Sequence, residues 1–172
     1  NAYGYKKRHT GFTIVELLIV IVIIGILAAI SIVAYSGIQN SAHVSAVKND
    51  FASIAKQAAL FKVASTTDTY PFTTDDMRKA GFAFSKNSYN AVLLCHEAVN
   101  APGVGWLSYD WAIIADVKDG KTYIYDNENA VTTEFTKGKV QNASGGTTCP
   151  SVRPNLTVWV WVKQTTNGNW QY

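Results

Sequence analysis

Charge is scarce in this sequence. Only 16 % of its 172 residues are Asp, Glu, Lys or Arg, against about 25 % in a typical soluble domain. No acidic residue precedes Glu16, no Lys or Arg lies between Arg8 and Lys48, and no proline precedes Pro71. Cysteine is limited to Cys95 and Cys149, and histidine to His9, His43 and His96. Two cysteines at this spacing do not make a zinc site. Cys95 and His96 are neighbours on a predicted strand, so their side chains point to opposite faces and are poorly placed as a thiol and its base. A Gly-rich phosphate loop, GxSxG and HExxH are all lacking. These absences leave no case for an enzyme, and neither cofactor nor metal is expected. The net charge of +3 comes from Lys6, Lys7 and Arg8; the remaining 12 basic and 12 acidic residues balance. A polybasic nucleic-acid binder is therefore disfavoured. Hydrophobic residues at 48 % and aromatics at 12 % exclude intrinsic disorder.

What is present is concentrated at the N-terminus. Residues 12–35 read FTIVELLIVIVIIGILAAISIVAY, apolar except for Thr13, Glu16, Gly25 and Ser31. A helical stretch of about 20 residues spans a hydrocarbon core of roughly 30 Å. This one is apolar on every side of the helix, as a membrane helix is. The alternative, a buried helix of a soluble core, fits poorly, because the rest of the chain could hardly enclose it. The basic flank stays in the cytoplasm, which sends the C-terminal bulk outward. An ordinary secretory signal shares the basic start and apolar stretch, but its cleavage site lies after that stretch. Ala28-Ala29-Ile30 mimics such a site badly.

Glu16 breaks the pattern. A lone carboxylate in a membrane helix costs about 2.5–3.5 kcal/mol on insertion scales, so it needs a partner. Lys7 and Arg8 lie two turns away across Gly11. A cut after Gly11 would supply another partner, the α-ammonium of Phe12, from the same chain or from a neighbour shifted along the helix. At low dielectric that pair is favoured over either charge alone.

The run Lys6-Lys7-Arg8-His9-Thr10-Gly11 followed by Phe12-Thr13-Ile14-Val15-Glu16-Leu17-Leu18 resembles the class III leader and N-terminal helix of type IV pilins and pseudopilins. The likeness extends through Gly25 and Ile26-Leu27-Ala28-Ala29-Ile30 to about residue 40. The resemblance implies cleavage between Gly11 and Phe12 by a membrane aspartyl prepilin peptidase, and N-methylation of Phe12. It implies retention of the helix and stacking of subunits into a homopolymer by a cytoplasmic ATPase and a platform protein. Glu16 would neutralise the Phe12 amine of an adjacent subunit and set the axial register; its presence favours a bulk subunit over a tip initiator. The precursor would be single-pass in the cytoplasmic membrane with its C-terminus outside, and the product an extracellular filament. Val33 stands where the family often has a helix-breaking proline, which predicts a continuous helix there. The missing initial Met and brief leader point to a truncated or engineered start.

Beyond residue 35 the helical period persists. Val44, Val47, Phe51, Ile54, Ala58 and Phe61 form one apolar stripe. The stripe favours packing on the chain's own sheet over a coiled coil, for which three heptads with small residues are marginal. The expected organisation is a leader at 1–11, a helix at 12–64 whose 12–35 part is membrane span and filament core, and a head at 65–172. In the head, Thr73 or Thr74 caps a short helix through Ala80, with Gly81 as its stop. Asp75 and Asp76 read as capping and dipole partners rather than metal ligands. Strands are predicted at 89–99, 107–117, 122–126, 131–135, 156–163 and 169–172, with turns at Lys118-Asp119-Gly120-Lys121 and Asn167-Gly168. The fold class is α+β, type IV pilin-like: a long N-terminal helix on an antiparallel sheet of four to six strands.

Because the head is exported, a Cys95–Cys149 disulfide is favoured over two free thiols. A disulfide-bounded region near the C-terminus also resembles the family. Asn142 and Asn155 sit in glycosylation sequons, a pattern common by chance. The five tryptophans read as sheet core or subunit interface before glycan or base stacking. The rival reading is an anchored protein that never polymerises and holds DNA or a surface ligand, which a head of zero net charge disfavours for DNA. Adhesion, twitching motility, DNA uptake and type II secretion are all compatible uses.

Overall fold

A computed structural model of the chain describes residues 11–140, 145–164 and 170–171. The leader at 1–10, the Asn142 sequon and the Asn167-Gly168 turn lie outside the described residues. The chain divides after Gln39 into two units.

Helix α1 runs Ile14–Ala64, 51 residues without interruption at Val33. It begins two residues later than the periodicity predicts, because Thr13 is its cap. In the first unit every described residue is exposed. In the second unit the stripe sinks into the head, where Val47, Phe51, Ile54 and Ala58 are fully buried. The same helix thus changes from apolar all round to amphipathic, following its residue pattern.

The head carries α2 (Thr74–Ala80), a six-stranded antiparallel sheet and a small separate hairpin. The sheet strands are β1 (Tyr89–Glu97), β4 (Trp111–Val117), β5 (Thr122–Asp126), β6 (Val131–Glu134), β7 (Leu156–Gln164) and β8 (Trp170–Gln171). Their spatial order is β6-β5-β4-β1-β7-β8. The hairpin pairs β2 (Val99–Ala101) with β3 (Gly105–Leu107). The strands predicted at 89–99 and 107–117 are therefore each cut short by it. The break follows from local hydrogen bonding: the Tyr70 amide donates to the Ser108 carbonyl at 2.8 Å and the Glu97 amide to the Asp110 carbonyl at 2.9 Å. Those bonds tie residues 108–110 to the rest of the head.

Period-2 alternation sorts the strands between two cores. Val92, Leu94, Trp111, Ile113, Ala115 and Val117 face α1. Leu93, Cys95, Ala112, Ile114 and Leu156 form a second cluster with Val140 and Cys149. Every residue of β4 is consequently buried. The outer face is covered by the segment around Val140 and by α3 (Gly145–Val152). Gly145-Gly146, read in the sequence as loop glycines, instead open this helix.

Polar anchors complete the seams. Asp50 on α1 accepts from the Ser85 amide at 2.6 Å, the Ser85 hydroxyl at 2.9 Å and the Tyr89 hydroxyl at 2.7 Å. Burial, with the Asp50 charge beside it, pushes the Tyr89 phenol up. Buried Asp116 accepts from the Thr122 hydroxyl at 2.7 Å and the Val140 amide at 3.0 Å, which ties the covering segment to the sheet.

Candidate functional site

The residues singled out for processing and assembly lie at the start of α1. Gly11 and Phe12 are exposed, Phe12 to 92 %. Thr13 closes a reciprocal cap with Glu16. The Thr13 amide and hydroxyl each donate to Glu16 Oε2 at 2.8 Å, and the Glu16 amide donates to Thr13 Oγ1 at 3.2 Å. Thr13-Ile14-Val15-Glu16 is a capping box, the pattern of a hydroxyl residue followed three positions on by Glu. The signal lies in residue type and spacing alone, and it adds Thr13 to the site beside Glu16. Among the described residues the second oxygen, Oε1, takes no hydrogen bond, so the carboxylate is oriented by its own turn while one oxygen stays open.

The surface around this carboxylate is apolar. Leu17, Ile19 and Val20 line a concavity with Phe12 and Glu16. From Phe12 to Ile38 the large aliphatic side chains are at least half exposed. The helix is long and apolar enough to cross a membrane, and the apolar window that qualifies it has no residue buried.

The other residues marked in the sequence resolve into structural roles. Cys95 on β1 and Cys149 in α3 form a disulfide with their Cα atoms 5.5 Å apart. Cys95 belongs to the outer core and its sulfur is bonded to Cys149, so no thiol is left there for His96 to activate. Thr73 and Asp76 form the capping box of α2, Gly81 closes it with φ +84°, and Asp75 pairs with Lys79 at 2.7 Å. Arg153 holds Asp126 and Glu128 at 2.9 Å and Asp110 at 3.5 Å, so a guanidinium already sits among these carboxylates. Among the described residues no group of three His, Cys, Asp or Glu is placed to hold a metal ion. The Asn155 side-chain amide donates to Asp110 Oδ2 at 2.8 Å. Trp111 stacks on Tyr125 in the core, whereas Trp106 and Trp159 reach the surface.

No curated protein and no solved structure matches the chain. Residues 6–32 match the family model described as the prokaryotic N-terminal methylation motif, the class III signal of type IV pilins. Found on a long apolar helix that packs against an antiparallel sheet, this motif supports a precursor of type IV pilin or pseudopilin type.

Proposed function

We propose that this chain is a structural subunit of a type IV pilus or a related pseudopilin filament. Prepilin peptidase cuts between Gly11 and Phe12 and methylates the Phe12 amine. The helix remains in the membrane until platform and ATPase machinery moves the subunit into an extracellular homopolymer. The observation that carries this reading is the methylation motif placed on a helix whose first unit buries none of its described residues. Such a surface is stable only in lipid or against other helices.

Glu16 supplies the register. Its Oε2 is held by Thr13 and its Oε1 is open, so the amine of a neighbouring Phe12 can approach without breaking the cap. The cut leaves the Thr13 amide intact, so the cap survives processing. Once lipid is exchanged for neighbouring helices, the ammonium and carboxylate neutralise each other in an apolar medium.

Two substitutions test the assignment. Gly11→Glu blocks cleavage. Glu16→Leu leaves cleavage intact and lowers sheared filament by about a hundredfold or more, because removing one partner of a buried pair costs about 3–5 kcal/mol. Glu16→Leu filaments as abundant as wild type would overturn the pairing.

A further inference from the structure

Two buried ring nitrogens inside the head have no partner in the protein. His96 on β1 and Trp111 on β4 are register partners in the antiparallel ladder, so their side chains stand side by side on one face of the sheet. His96 is 2 % exposed and Trp111 5 %. Among the described residues neither His96 Nε2 nor Trp111 Nε1 has a hydrogen-bond partner, so no bond joins the two rings through these atoms. Both residues line one cavity of about 10 Å³, where Ala58 of α1 and Met77 of α2 meet the sheet.

Buried polar groups are costly when left unpaired. A cavity of this size has room for one water and nothing larger, and a buried water needs at least two polar partners. The two ring nitrogens supply that number. Their chemistry also sets the direction of each bond. An indole nitrogen only donates, whereas a neutral imidazole has one donor and one acceptor nitrogen. Ala58, Pro71, Phe82 and Leu94 bring no side-chain acceptor to the cavity, and the sulfurs of Met77 and Cys95 are weak ones. An Nε2–H imidazole would therefore leave both protons of such a water without a strong acceptor.

We propose that the head binds a single structural water between β1 and β4, which accepts from Trp111 Nε1–H and donates to His96 Nε2. The bridge fixes His96 as the Nδ1–H tautomer. It joins two strands through their side chains in the seam where both helices rest on the sheet. The site lies wholly within the head unit, so it holds whether or not the chain polymerises.

The test is water-proton NMR on the 15N-labelled full chain in detergent micelles near neutral pH, with the Trp111 indole proton assigned through bonds. The expected result is a ROESY cross peak between that proton and the water resonance, with the sign of dipolar contact. The His96 Nε2 shift should be that of an unprotonated ring nitrogen. His96→Leu removes the acceptor and should abolish the cross peak while the Trp111 indole signal stays dispersed. No cross peak in the wild type, or one with the sign of chemical exchange alone, overturns the proposal. So does a protonated Nε2, or a scalar coupling between the two nitrogens, which reports a direct N–H···N bond. An undiminished cross peak in His96→Leu overturns the bridge as well. The wild-type spectra decide alone if that variant fails to fold.

Discussion

His96 shows how one side chain makes the head sensitive to acid. The imidazole is 2 % exposed, and its Nε2 has no hydrogen-bond partner among the described residues. It shares a cavity with Ala58, Pro71, Met77, Phe82, Leu94, the disulfide-bonded Cys95 and Trp111, none of them charged, and lies 5.8 Å from the Phe72 ring. Burial pushes its pKa down to about 4 from an ordinary 6.5. The folded state therefore binds its proton later than the unfolded state does. Stability is fully present above pH 6.5, declines as pH falls toward 4, and levels off below that. Over the whole window the loss is about 3 kcal/mol, because each pH step of one between the two values weakens the fold by roughly 1.36 kcal/mol. Urea unfolding of the detergent-solubilised chain should show it between pH 6.5 and 5, and His96→Phe should flatten that slope. Equal slopes for the two proteins would contradict the assignment.

Thr13 was legible at the same scale, because its capping box needs only a residue type and a spacing of three. The orphaned Nε2 of His96 was not, since burial depends on which loops close over the sheet. The sequence marked Glu16 as costly without showing that its own turn satisfies one oxygen.

At the scale of elements, the head depends on cross-links between segments distant in sequence. Asp50 ties α1 to Ser85 and Tyr89, and the disulfide ties α3 to β1 across a separation of 54 residues. Arg153, just beyond α3, bridges Asp110, Asp126 and Glu128 at one end of the sheet. The double variant Cys95→Ala/Cys149→Ala should lose about 4 kcal/mol of stability in the chain-entropy description of a loop this long. Urea midpoints of the variant and the oxidised wild type measure it; coincident midpoints would show that α3 is held without the bond. The long helix, α2 and most strands could be read from periodicity and caps. Helix α3 could not, because Gly145, Gly146 and Pro150 are poor helix formers, and only packing over the outer core makes the segment helical. The hairpin was lost for a related reason. Alternating apolar residues on either side of it look like continuous strand, and the breaks at 98 and 108–110 come from bonds to Asp110 and Tyr70.

At the scale of the whole molecule, one helix serves two environments. Its first unit offers a largely apolar exposed surface around a single oriented carboxylate, and its second buries a stripe against the sheet. Division of labour follows from composition: 31 consecutive residues, 17–47, hold no charge among Asp, Glu, Lys and Arg, and charges return where the head begins. The apolar rod and its single acid were visible in the sequence because they depend on composition alone. Contacts between copies depend on surfaces that only folding assembles. Filament assembly begins with cleavage of the bond between Gly11 and Phe12, and the mass of the N-terminal peptide from cells of the native host reports on that cut. The expected peptide starts at Phe12 and is about 14 Da heavier than the unmodified sequence, one methyl group on the amine. A mature chain that starts anywhere else, or keeps Lys6 to Gly11, would contradict it.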